Sequence, residues 1–199
     1  MNPHPLLRER TAGVILHPPS LPSRRGAFGI GDLGYTARRF VDWMRAAGLS
    51  RWQMLPIGPV GAGDSPYSSL SSFAIEPMLV SIADLVDEGL LPTAALRNTA
   101  TTTRDDDRGR ASWRRVRAWK TPRIEAAFRK FASRRGRRGS GGRDHVEFQD
   151  RNAFWLDDWC RFAALDARRR RCAGPVQRTF EYHAFVQFIL DRQWSSLRY

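Results

Sequence analysis

In this 199-residue chain the stretch best suited to chemistry is Gly61-Ala-Gly-Asp64-Ser65-Pro66-Tyr67-Ser-Ser69. Pro66 fixes the backbone ahead of Tyr67, so the phenol ring is presented from a stiff turn. An aromatic plane held that way suits the C–H-rich face of a sugar ring. Asp64 and Ser65 beside it are of the types that bond hydroxyl groups. The same residues also read as an Asx-turn with a packed tyrosine, and on the loop alone that plainer reading comes first.

Other motifs carry less. Gly29-Ile-Gly31-Asp-Leu-Gly34 matches G-x-G-x-x-G and precedes a helix, but the strand before it ends near His17, too early for a dinucleotide fingerprint. No acid lies between Asp42 and Asp64 to take ribose hydroxyls. There is no G-x-S-x-G elbow, no supported Cys–His pair and no His/Cys cluster fit for zinc. His17, at a strand end, could face a ligand but reads first as a hydrogen-bonded structural residue. Cys160 beside Trp159 reads as core. Among the acids, Asp32 reads as a helix N-cap, Asp42 lies on an outer helix face, and Asp64 shapes its loop.

These groups need elements to position them. Ala12–His17, AGVILH, is a short apolar run closed by Pro18-Pro19 and predicts a buried strand. Leu33, Ala37, Phe40, Val41, Met44 and Ala47 recur at helical spacing up to Gly48, which predicts an amphipathic helix with a stop signal. Arg51–Ile57 predicts a second strand, so the whole reads as a βαβ unit with a parallel pair. Met78–Leu91 predicts a helical or mixed segment stopped at Gly89. Trp155, Trp159, Phe162 and Ala163 mark one helix face. Phe180–Tyr199 carries a broad apolar sector, as expected of a helix packed on two sides. Two strands offer too little cover for so many apolar helix faces, which predicts that the sequence is part of a larger fold.

The chain has 33 Lys+Arg against 20 Asp+Glu, a net charge of +13, yet residues 101–145 alone hold +10 of it. Within that segment RRGRRGSGGR (134–143) reads as a loop, and the helical spacing of Trp113, Val116, Trp119, Ile124, Ala127, Phe128 and Phe131 is broken by Pro122. The segment therefore predicts a solvated basic surface loop with a helix inside it, with nucleic acid binding the lesser reading. Seven Trp and eleven Phe exclude a wholly disordered chain. No apolar run is long enough to span a bilayer, and no secretory signal is evident. Two cysteines give no disulfide framework, so a reducing, cytoplasmic setting is expected.

The succession AGVILH, Ser20-Leu21-Pro22, FGIGDLG, RWQMLPIGP, DSPYSSLSSFAIEPMLVS and Leu-Val-x-x-Gly-Leu-Leu resembles the amino-terminal part of the 4-α-glucanotransferases, also called amylomaltases or disproportionating enzymes (glycoside hydrolase family 77). Val116 and Lys120, WLDDWCRFAAL and FVQFILDRQWSSLRY fit as well, so only the Arg-rich insert departs from the pattern. The resemblance implies an α/β fold: an incomplete N-terminal part of a (β/α)8 TIM barrel with an inserted helical subdomain. Residues 1–72 would form the first βαβ unit and substrate loop, 73–179 a mainly helical insert with the Arg-rich loop at about 101–145, and 180–199 a barrel helix.

The family implies retaining transfer of α-1,4-glucan segments without cofactor. A carboxylate attacks, and a second carboxyl about 5–5.5 Å away protonates the leaving sugar. In the family those acids lie on later strands, so no catalytic residue is assigned here and the chain alone is expected to be inactive. Tyr67 carries over as the residue lying against the glucose beside the scissile bond, and Ser65 as a weaker hydroxyl contact. The expected partners are α-1,4-glucans (maltodextrins, glycogen or starch), with no membrane. The alternatives are a basic nucleic-acid-binding protein acting through residues 101–145, or a truncated gene product without function.

Overall fold

The computed structural model describes residues 10–22, 29–61, 63–97, 112–135, 140–169 and 173–197. Strand β1 (Gly13–Ile15) pairs in parallel with β2 (Arg51–Gln53), in the register Gly13↔Arg51, Val14↔Trp52 and Ile15↔Gln53. Helix α1 (Tyr35–Ala46) connects them, so the βαβ unit read from the sequence is present. Gly13 is required at the pairing, since a Cβ there would lie 2.5 Å from the Arg51 carbonyl oxygen. Helix α1 ends as its glycine predicts. Gly48 has φ +71°, its N–H donates to the Arg45 carbonyl, and the Leu49 N–H donates to that of Met44, which is a Schellman closure.

Two expectations in this unit are corrected. The strands are not buried: Ile15 is 66% exposed, and neither strand contributes to the main apolar cluster. The described helices pack around the segment 74–91 instead and leave the strand pair at the edge. Asp32 is not the N-cap of α1 either. That position is Gly34, without a side-chain cap, while Asp32 Oδ1 accepts the Gly34 N–H and Oδ2 faces the ammonium of Lys120.

The core lies elsewhere. Helix α2 (Ile82–Asp87) is capped by Ser81, whose Oγ accepts the Asp84 N–H, and its exit turns on Gly89 at φ +68°. Helices α3 (Trp113–Arg135), α4 (Ser140–Arg169) and α5 (Phe180–Ser195) close over it. Leu79, Ile82, Leu85, Ile124, Leu156, Phe185, Ile189 and Leu190 are fully buried there, each contributing about 1.5–3 kcal/mol by leaving water.

Within residues 101–145 the helix read from the spacing of Trp113 to Phe131 is present, and the surrounding loop reading is corrected where those residues are described. Helix α3 buries Val116, Trp119, Ile124, Ala127 and Phe131 in the core, and α4 runs through Ser140, Gly141 and Gly142. Pro122 does not break α3. The Arg123 guanidinium donates to the Trp119 carbonyl at 2.8 Å, beside the proline's missing N–H, and also to the Ala95 carbonyl. The carbonyl that Pro122 leaves without its usual helical donor is that of Ala118, so the Arg123 bonds brace this turn against the neighbouring segment without replacing the missing one. The rest of that stretch, residues 101–111 and 136–139, lies outside the described residues, as does Cys172.

Helix α5 holds the segment 75–81, which makes a 3-10 turn at Pro77–Leu79, through two buried glutamines. Gln187 Oε1 accepts the Ile75 N–H and its Nε2 donates to the Ile75 carbonyl. Gln193 does the same for Ser81, at 2.8 and 3.2 Å. Each amide side chain completes a backbone unit as a neighbouring strand would.

Candidate functional site

After β2 the chain runs through Pro56-Ile57-Gly58-Pro59 into a narrow excursion. Val60 bridges antiparallel to Ser69, the Gly61 N–H donates to the Ser68 carbonyl, and the Leu70 N–H donates to that of Pro59. At the tip, the Ser68 N–H donates to the Ser65 carbonyl at 3.1 Å, closing a turn with Pro66 and Tyr67 at its centre. The Tyr67 N–H also reaches Ser65 Oγ at 3.3 Å. The ring of Tyr67 is not packed away: the residue is 74% exposed. The plainer reading, a turn with a buried tyrosine, therefore does not hold, and the phenol plane stands out from a closed turn.

Asp64 helps to shape this tip. Its φ is +54°, in the left-handed region that Asp tolerates better than most residues. Its carboxylate pairs with Arg117 of α3 at 2.7 Å. Both side chains are more than a third exposed, so the pair adds about 0–1 kcal/mol and acts mainly by fixing direction. Ser69 and Ser71 tighten the returning limb: Ser69 Oγ donates to the Ser71 carbonyl, and Ser71 Oγ accepts the Phe73 and Ala74 N–H groups.

Two hollows adjoin the loop. One, of about 760 Å³, is lined by Ser69–Ile75, Phe148, Asn152, Trp155, Gln187 and Asp191 among others. Phe73, 60% exposed, lies parallel to Trp155 there with centroids 6.1 Å apart. The other, of about 530 Å³, is lined by His17, Leu21, Asp64, Pro66 and Trp113. His17 does reach a hollow, as its strand-end position allows. Burial lowers its pKa, which keeps the imidazole neutral at pH 7.

The carboxylates near Tyr67 are engaged structurally. Asp64 is held by Arg117, and Glu76 accepts the N–H groups of Val60 and Met78. Asp42 lies exposed on α1, as expected. Asp32 is buried against Lys120, which is fully buried; the three ammonium hydrogens go to Asp32 Oδ2 (3.3 Å), the Met78 carbonyl (2.7 Å) and the Val80 carbonyl (2.9 Å). Burial raises the Asp32 pKa and lowers that of Lys120, more than their mutual attraction offsets.

Sequence patterning missed Glu76, Lys120, Gln187 and Gln193 as organisers. A signal was present for three of them: Glu76 directly precedes Pro77, the arrangement of an N-cap before a first-turn proline, and the two glutamines sit within the apolar sector of α5.

Cys160 is core, as read, and its thiol is pushed up to about 12 by burial. At neutral pH it is a protonated, shielded thiol. Iodoacetamide at pH 8 is expected to leave it unmodified for hours in the folded chain and to label it fully in 6 M guanidinium, as read from the mass of its tryptic peptide.

Comparison with known proteins gives a consistent result. The family model described as 4-alpha-glucanotransferase matches residues 16–199. The 4-alpha-glucanotransferase of Thermus thermophilus is 32% identical over 213 residues, which cover 95% of this chain and 39% of that protein. The chloroplastic/amyloplastic enzyme of Solanum tuberosum is 36% identical over 216 residues, or 95% of this chain and 35% of that protein. Amylomaltase from Streptococcus agalactiae, solved in complex with acarbose, shares the fold with a TM-score of 0.76 at 23% identity, over 95% of this chain and 40% of that one. The chain thus spans about two fifths of the length of these relatives.

Proposed function

Because the chain belongs to the 4-alpha-glucanotransferase family, we propose that its Tyr67 loop forms one wall of an α-1,4-glucan site. The observation that carries this reading is the exposed phenol plane on a closed, proline-bearing turn. A pyranose laid on that plane buries its C–H face, while the Ser65 hydroxyl stands at the same turn for a ring hydroxyl. Acarbose in the Streptococcus agalactiae amylomaltase supports a sugar-shaped ligand.

In this reading the parallel pair β1–β2 corresponds to the first two strands of a (β/α)8 barrel. The exposed Ile15 and Phe73 fit surfaces that the rest of such a barrel would cover. Retaining transfer needs two opposed carboxyls. Asp64 and Glu76, both engaged by structural partners, are poor candidates for either role. We place the reacting acids in the part of the family fold beyond these 199 residues. The nucleic-acid alternative is weakened by the use of its arginines within the fold: Arg117 on Asp64, Arg123 on three carbonyls, Arg134 on the Gly89 carbonyl.

Calorimetry with maltoheptaose tests the proposal. The chain should bind it with a millimolar or tighter Kd and lose about tenfold in affinity on Tyr67→Ala, as expected for loss of one aromatic platform worth about 1–1.5 kcal/mol. Incubation with maltotriose should give no glucose and no longer oligosaccharides. Equal affinity in the variant would remove Tyr67 from the site, and robust transfer would overturn the placing of the acids.

A further inference from the structure

Glu76 is only 6% exposed, and both of its carboxylate oxygens are occupied. Oε2 accepts the Val60 N–H at 2.9 Å and Oε1 accepts the Met78 N–H at 3.1 Å, while the Glu76 N–H donates to the Ile57 carbonyl at 2.8 Å. Val60 is the residue at which the outgoing limb of the Tyr67 loop bridges to the returning limb at Ser69. The carboxylate therefore grips the excursion at its root.

Glu76 is itself held from behind. The residue before it, Ile75, is clasped through both backbone groups by the buried Gln187 of α5. A continuous set of short bonds runs from the core helix to Ile75, through Glu76 to Val60, and on through the Gly61–Ser68 and Pro59–Leu70 pairs to the turn that carries the ring. On the far side the Asp64–Arg117 pair ties the tip to α3.

From this geometry we infer that Glu76 is a positioning residue, setting the place of Tyr67 by anchoring the loop at Val60; its bearing on sugar binding rests on the glucan reading above. A catalytic role does not suit it, because a carboxyl closed off from solvent and shared between two amides has no room to meet a substrate. Arg117 and Lys120 from α3 and Asp64 from the loop act on its charge, and the small cavity it lines also holds Asp166 of α4 with Tyr182 and His183 of α5. Burial raises its pKa, and the two amides and Arg117 oppose that.

Glutamine at this position is diagnostic. Glu76→Gln keeps the shape but leaves one acceptor oxygen for two N–H groups, and turns an NH2 donor toward one of them. Hydrogen exchange on the whole chain reads the consequence directly. Exchange in a peptide spanning 58–72 should speed up by roughly ten- to a hundredfold, with α5 unchanged. Maltoheptaose affinity should fall by about tenfold in the wild-type background and by less than twofold when Tyr67 is already alanine.

Three results would overturn the inference: unaltered exchange at 58–72, an increase spread equally through α5, or the same affinity loss with and without Tyr67. If the unaltered chain takes up no maltoheptaose, the glucan reading fails while exchange still decides whether Glu76 anchors the loop. Should Glu76→Gln not fold, Glu76→Asp, which keeps both acceptors but withdraws them by one methylene, is expected to show the same localised loosening.

Discussion

Replacing Lys120 by methionine is expected to cost about 3–5 kcal/mol of folding stability, read as a fall in the urea midpoint or a loss of roughly 10 °C or more in Tm. The side chain has no exposed surface, and its ammonium joins Asp32 to the carbonyls of Met78 and Val80. Methionine fills most of the volume but leaves a buried carboxylate without its counter-ion and two carbonyls without a donor. The pH dependence identifies the cause. Burial already raises the Asp32 pKa, and removing Lys120 takes away the attraction that lowers it, so it rises further. A folded-state pKa above the unfolded one means that the folded chain binds more protons in the window between them. The stability deficit of the variant should therefore be smallest at the acid end and deepen as pH rises through that window. A deficit independent of pH would point to packing alone. Adding Asp32→Asn should recover part of the loss, since it removes the stranded charge.

The second large effect concerns Gln193. Changing it to leucine should cost about 2–4 kcal/mol, because the Ser81 N–H is left buried without an acceptor and the Ser81 carbonyl keeps only the long 3.3 Å bond from the Leu85 N–H. Glutamate is the informative companion. It keeps an acceptor for the Ser81 N–H but has no donor for the Ser81 carbonyl and adds a buried charge, so it should be no better than leucine. If Gln193→Glu were nearly neutral by chemical denaturation, the two-bond clasp on Ser81 would not be what holds α5 to the segment leading into α2. The same logic separates Gln193 from Arg192, which pairs with Glu88 at the surface and should contribute little.

How far the molecule was legible depended on the range of the interactions involved. Helix α1 with its Gly48 stop, the turn at Gly89 and the parallel pair came from local patterns, and local patterns were enough. The Tyr67 turn was legible for the same reason: Pro66 and Ser65 shape it within four residues. Pro122 misled because burial of Val116, Trp119, Ile124 and Ala127 on either side of it, a tertiary effect, holds α3 together across the missing N–H. The basic stretch misled because its Arg, Gly and Ser content suggested a solvated loop, although the spacing of Val116, Trp119 and Ile124 already marked the buried face of α3. Lys120 was hidden because hydrophobic patterning assigns a charged residue to the outside; Gln187 and Gln193 lie in the apolar sector of α5, but the backbone groups they clasp are 112 residues away. Asp32 was read as the N-cap of α1, which is Gly34, because its partner Lys120 lies 88 residues away.

The central claim is that the exposed ring of Tyr67 is a platform for an α-1,4-linked sugar. Its most direct test is to follow the tyrosine ring resonances of the intact chain, with Tyr67 assigned by substitution to phenylalanine, during titration with maltoheptaose and, separately, with cellohexaose. The Tyr67 signals should move saturably with the α-linked oligosaccharide, by the shielding that a stacked pyranose imposes, and should stay in place with the β-linked one. Tyr67 signals indifferent to both sugars, or moving equally with each, would contradict it.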